Sequence, residues 1–153
     1  MKVLYFAYGS NMSSERLRSR IASVKVIGHA FLKDWKMVLN KRSRDGSGKA
    51  NLVESPGDVT WGVLYEIRNS DLETLDRVEG GYQRITVQVQ QPGVTVVEAV
   101  TYISGNLTND PRPYRWYKEL LLSGAREHNL PQDYIARLEG FPVKSDNDSE
   151  TAG

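Results

Sequence analysis

The chain has 153 residues, 20 basic and 19 acidic side chains, and a formal net charge of +1. That length suits one domain with a fair core. The charge balance excludes an electrostatic case for nucleic acid or an anionic membrane as partner. With no cysteine there is no disulfide framework and no thiolate nucleophile or ligand. No apolar run is long enough to span a bilayer, and the N-terminus carries no leader pattern. The sequence therefore predicts a cytoplasmic protein with a small-molecule partner, and it names no oligomeric state.

The first element is a strand that ends in Tyr5-Phe6-Ala7-Tyr8-Gly9-Ser10-Asn11-Met12. Gly9-Ser10-Asn11 reads as a tight turn into a helix over Ser13–Ile21, on which Leu17 and Ile21 share a face. Such a turn offers unpaired N–H groups and the positive end of a helix dipole, and Gly9 lets a ligand approach the backbone. An anion cradle and an ordinary strand-to-helix turn both meet that description.

Val24–Asn40 reads as one long or broken strand with a bend at Gly28. Lys41–Lys49 is a polar loop around Asp45-Gly46-Ser47-Gly48. Asn51–Glu54 and Thr60–Ile67 are strands separated by a Ser55-Pro56-Gly57-Asp58 turn. Ser70 starts a helix with the spacing of a capping box to Glu73, and Gly80-Gly81 stops it after Glu79. Tyr82–Gln90 and Val94–Ser104 are strands joined at Pro92-Gly93. Tyr114–Arg126 is the longest helix, with Tyr117, Leu120, Leu121 and Gly124 on its buried side. Pro131–Leu138 is a shorter helix. Residues 1–143 form the domain, and the polar stretch 144–153 is predicted to be disordered. The order does not alternate regularly, which points to an α+β fold with a mixed sheet or small barrel.

Among possible chemistry, Glu79 stands out. It sits at a helix C-terminus, three residues after Asp76, and both the dipole and a like charge push a carboxylate pKa upward. The dipole supplies about 0.3–1 kcal/mol. A proton transfer from an amine therefore needs burial to supply the rest. A solvated helix-end glutamate is the plainer reading of the residue taken alone. Tyr82 and Tyr117 suit either a ligand contact or simple packing. His29 and His128 lie in unrelated contexts without metal-ligand spacing. Ser10 lacks the Gly-x-Ser-x-Gly elbow, and Gly9 lacks a following P-loop lysine. Trp35, Trp61 and Trp116 read as core or pocket walls.

Two motifs together resemble the gamma-glutamylcyclotransferase family: Tyr5 to Met12, and Leu75-Asp76-Arg77-Val78-Glu79-Gly80-Gly81-Tyr82-Gln83-Arg84. Ser55 to Val63, and Tyr117-Lys118 with Gly124 to Glu127, are similar to its other segments, so the likeness runs to about Leu138. The resemblance implies a small mixed β-barrel flanked by helices. It implies an enzyme that closes 5-oxoproline from a γ-glutamyl amide by attack of the substrate's own α-amine, with release of an amine or amino acid. Glu79 would be the general base. Tyr8, Gly9, Ser10, Asn11, Tyr82 and Tyr117 would line the substrate site, and no metal or cofactor is implied. Tyr-Gly-Ser-Asn sets the chain apart from the Tyr-Gly-Ser-Leu pattern of the glutathione-specific branch. The short interval from Glu79 to Tyr82 leaves the place of Tyr82 open, and Arg84 is free either to bind substrate or to pair with Asp76 or Glu79. Rivals are a non-catalytic module holding a small anion or peptide carboxylate, and a γ-glutamyl amide hydrolase. Choice of leaving amine falls to the rim, at the Lys41–Lys49 loop and the Asn106–Tyr114 connection.

Overall fold

The structure, a computed structural model, describes residues 1–145. Strand β1 (Lys2–Ala7) leads through a 3₁₀ turn at Ser10–Met12 into helix α1 (Ser14–Arg20). Two long strands follow, β2 (Lys25–Arg42) and β3 (Gly48–Arg68), then α2 (Leu72–Val78), β4 (Gln83–Gln90) and β5 (Val96–Ile103). Helices α3 (Arg115–Glu127) and α4 (Gln132–Glu139) complete the chain. The strands close into a barrel in the order β1-β3-β2-β4-β5. Among the described strands only β1 and β5 meet in parallel, through Tyr5 and Val100, so the α+β small mixed barrel with flanking helices is what the molecule has.

Closing a barrel from such long strands requires bends, and β2 and β3 supply them as register shifts. The first lies at Gly28, where φ is 145°. At the second, Trp35 pairs with Glu54 and Lys33 with Val59, so residues 55–58 stand opposite Asp34 alone. The turn expected at Ser55–Asp58 is thus a wide bulge inside one continuous strand. Asp34 takes φ 67°, and its carboxylate accepts the Gly57 N–H at 3.0 Å. Pairing with a single strand on both sides keeps the ladder intact. The third shift lies between Val38 and Lys41 and leaves Ala50 outside the ladder.

Other elements differ in detail. The loop expected at Lys41–Lys49 shrinks to residues 43–47, because both strands extend. The Ser70–Glu73 capping box does not form: a 3₁₀ turn at Asn69–Asp71 precedes α2, which has no side-chain cap. Asp71, the N-cap of α2, turns its carboxylate to the Ser23 N–H at 3.1 Å and to the Ser23 hydroxyl. Lys144 is held to the domain by its N–H on the Pro113 carbonyl at 2.8 Å. The rest of the predicted tail, residues 146–153, lies outside the described residues.

The core gathers Phe6, Met12, Leu17, Met37, Tyr65, Leu75, Leu121 and Leu138, all nearly inaccessible. Tyr117, Leu121, Gly124 and Ala125 carry the buried face of α3, while Leu120 is only half-buried. A Cβ at Gly124 would stand 2.6 Å from Met12. The missing side chain lets α3 press directly on the 3₁₀ turn after β1.

Candidate active site

All seven site residues named from sequence line one cavity: Tyr8, Gly9, Ser10, Asn11, Glu79, Tyr82 and Tyr117. The strand β1 brings Tyr8 and the turn; the end of α2 brings Glu79; α3 brings Tyr117. Glu79 is the C-cap of α2 and donates its N–H to the Leu75 carbonyl at 2.9 Å. Its own carbonyl accepts the Tyr82 N–H at 3.0 Å, across a turn that needs Gly81 at φ 89°. This turn sets the short interval to Tyr82 and still delivers its ring to the cavity.

The Glu79 carboxylate is 15 % exposed and lies 3.9 Å from the Arg20 guanidinium. Asn11 Nδ2 donates to Glu79 Oε1 at 2.7 Å and to the Tyr5 hydroxyl at 3.0 Å. Arg20 in turn donates to Asn11 Oδ1 at 3.3 Å, so the Asn11 amide is fixed on both sides. Burial pushes the Glu79 pKa above the ordinary carboxylate range, against the opposing pull of Arg20, Arg16, the Asn11 hydrogen bond and Lys41. Asp76, expected to contribute, is engaged elsewhere. It accepts from the Tyr102 hydroxyl at 2.6 Å and lies 3.3 Å from Arg84. That pairing also settles Arg84, which belongs to Asp76.

The tyrosines are neutral phenols. Burial raises Tyr8 and Tyr82 far above the usual phenol range, and lifts Tyr117 to about 12. The Tyr82 hydroxyl donates to the Ala50 carbonyl at 2.7 Å, and the Ala50 N–H donates to the Tyr117 hydroxyl at 3.1 Å. The bulge at Ala50 frees both polar backbone groups of that residue from the ladder, and the two tyrosines take them up. Tyr8 donates to the Tyr102 carbonyl. Glu79 is the one carboxylate among the described residues that line the cavity.

The turn differs from the expected helix N-terminus. The first N–H donors of α1 are turned inward: Ser14 N–H meets Glu127 at 3.2 Å, and Arg16 N–H meets the Ser13 hydroxyl at 3.3 Å. What borders the cavity is the 3₁₀ turn, whose leading N–H groups have no partner within so short a helix. Gly9 is needed there, since a Cβ would stand 3.0 Å from that of Ala50.

Residues not singled out from sequence complete the wall: Tyr5, Ala50, Thr101 and Tyr102. Arg16 and Arg20, four apart on α1, carried a readable signal as a paired basic face. The histidines are less separate than their contexts suggested. His29 Nδ1 donates to the His128 carbonyl at 2.9 Å, and His128 Nε2 meets Ser14 Oγ at 3.0 Å. Glu127 approaches that same nitrogen at 3.3 Å, which is not the relay of a serine nucleophile. Trp35 and Trp61 pack on the core, while Trp116 is 40 % exposed. Among the described residues no cluster of His, Asp and Glu is gathered to hold a metal ion. No helix among them is long and apolar enough to cross a membrane.

Residues 59–138 match the model of the AIG2-like family. Gamma-glutamylcyclotransferase of Homo sapiens is 34 % identical over 147 residues, spanning 90 % of this chain and 78 % of the relative. The Bos taurus enzyme is 35 % identical over the same shares. A solved gamma-glutamyl cyclotransferase structure superposes with a TM-score of 0.88 at 30 % identity, covering 99 % of this chain and 98 % of its own. A barrel of this topology, a buried glutamate beside the Tyr-Gly-Ser-Asn turn, and identity of this extent agree: the chain belongs to the gamma-glutamylcyclotransferase family, and its activity is that of a gamma-glutamylcyclotransferase.

Proposed function

We propose that Glu79 is the general base of a cyclisation that converts a γ-glutamyl amide into 5-oxoproline and a free amine. The observation that carries this reading is the hydrogen bond from Asn11 to Glu79, which joins two motifs 68 residues apart in one cavity. Binding folds the γ-glutamyl group so that its α-nitrogen faces its own γ-carbonyl, which makes the attack intramolecular. Glu79 takes a proton from the α-ammonium. The freed lone pair forms the new C–N bond, and the carbonyl electrons move to oxygen. The N–H groups of the Gly9–Asn11 turn receive that oxyanion or hold the α-carboxylate. Collapse of the intermediate breaks the old C–N bond; the departing nitrogen takes the first proton back from Glu79, and the ring nitrogen gives up its second proton, which leaves the lactam N–H and an amine product in its ammonium form. Atoms balance without water.

A base raised by burial suits this work, because its affinity for the proton lies closer to that of an amine. Tyr8, Tyr82 and Tyr117 shape the pocket, with two of the hydroxyls spent on Ala50. The cytoplasmic location expected from the cysteine-free composition goes with this proposal.

Glu79→Gln retains the shape of the side chain and the acceptor for Asn11. It should keep the fold and lower 5-oxoproline release by roughly 10²–10⁴-fold. In the parent enzyme kcat/KM should climb with pH through a group above the ordinary carboxylate range. Normal turnover by the variant would remove Glu79 from the mechanism. Free glutamate as product would select the hydrolase, and binding without product the non-catalytic module.

A further inference from the structure

A second depression, a groove of about 810 Å³, adjoins the Glu79 cavity. It is lined by the outer side of the Gly80-Gly81 turn and by the β2–β3 hairpin. Lys41, Arg42, Arg44, Lys49 and Arg77 face it, against one acidic residue, Asp45. Asp45 lies 3.7 Å from Lys49. Among the described residues no carboxylate pairs with Lys41, Arg42, Arg44 or Arg77 within 4.0 Å. A chain with a net charge of +1 has thus concentrated unpaired cations on one wall.

The wall also touches the catalytic cavity. Lys41 Nζ sits 5.2 Å from the Tyr82 ring centroid, and Lys49 Nζ sits 5.6 Å from that of Tyr117. Both rings line the Glu79 pocket. Lys41 also lies against Gly81, whose bare α-carbon leaves it room. Both lysines are partly desolvated, and burial draws their ammonium pKa values down. An anion delivered here would be held by charges already stripped of some of their water.

From this placement we infer that the groove receives the leaving group, and that it selects amines carrying two carboxylates, such as an acidic amino acid or the next residue of a γ-glutamyl peptide. The inference rests on the cyclotransferase reading above. A single carboxylate leaves most of the cationic wall unanswered; a second meets it. A cationic leaving amine is repelled.

The test compares γ-glutamyl-glutamate with γ-glutamyl-glutamine, which have nearly the same size and differ by one charge. The ratio of their kcat/KM values within one enzyme cancels any change at Glu79. The parent should favour the acidic substrate roughly five- to tenfold, and the preference should shrink as salt is raised. Arg44→Glu, at an exposed position, should bring the ratio to one or below, and Lys41→Met should lower it. Equal kcat/KM for the two substrates, or a preference unmoved by both variants and by salt, overturns the inference while leaving the cyclotransferase reading intact. Failure of both substrates to give 5-oxoproline would instead sink that reading.

Discussion

Glu79 is kept usable by opposing forces of known sign. Burial favours its protonated form, while Arg20, Arg16, Lys41 and the Asn11 amide favour the charged one. Burial prevails, and stability is affected accordingly. The folded-state pKa is raised above the unfolded value, so the native state binds this proton more tightly. Stability is then fullest below the ordinary carboxylate range and declines as pH rises through the folded value. Glu79→Gln removes that decline. Melting curves across a pH series should show parent and variant alike in acid, with the variant the more stable at neutral pH. A parent more stable than the variant at neutral pH would mean the cations overcompensate the burial.

Helix α3 acts on the site through contact as well as through Tyr117. Alanine forms helices better than glycine by about 1 kcal/mol, which on propensity alone makes Gly124→Ala stabilising. The added methyl would stand 2.6 Å from Met12 and 2.7 Å from the Ser13 nitrogen, and overpacking of this kind costs about 1–3 kcal/mol. The clash decides the sign, since neither contact is the end of a flexible side chain. We expect a lower Tm together with reduced 5-oxoproline release, because the strain is relieved by moving the Ser10–Met12 turn. Ser123→Ala, on the exposed side of the same helix, should change neither. Unchanged activity with a lowered Tm would uncouple the helix from the turn.

The barrel as a whole is stitched by side chains where the ladder thins. Asn51 on β3 donates to the Ser104 carbonyl at 2.9 Å and accepts the Ser104 N–H at 2.9 Å. Asn51→Leu would leave both buried groups unpaired, at about 1–3 kcal/mol each. For a chain of this size that corresponds to a Tm lower by roughly 4–20 °C, readable by calorimetry; a shift within a degree would show the seam is redundant. Such seams explain what the amino-acid string withheld. The Tyr-Gly-Ser-Asn turn and the Glu79 segment were legible as a pair of motifs resembling one family; taken alone, one also reads as an ordinary turn and the other as a solvated helix end. Tyr5, Thr101 and Tyr102 were not, since only barrel closure brings β1 and β5 together. The Ser55–Asp58 bulge read as a turn because its partner, Asp34, lies on another strand. The Ser70 box did not form where a 3₁₀ turn at Asn69–Asp71 leads into α2.

The β2–β3 hairpin divides this enzyme into parts that can change at different speeds. At its base, Ala50 is bound through backbone groups by Tyr82 and Tyr117, so its place is protected whatever happens further out. At its tip, residues 43–47 carry charge into the neighbouring groove without sharing those bonds. On the inference drawn above, exchange of the exposed Arg42 and Arg44 changes which amine is favoured, while Ala50 keeps its bonds to the two tyrosines. For an engineer the same division says where to screen: at Arg42 and Arg44, with the bonds from Tyr114 to Asp45 and from Lys144 to Gly46 left to hold the loop.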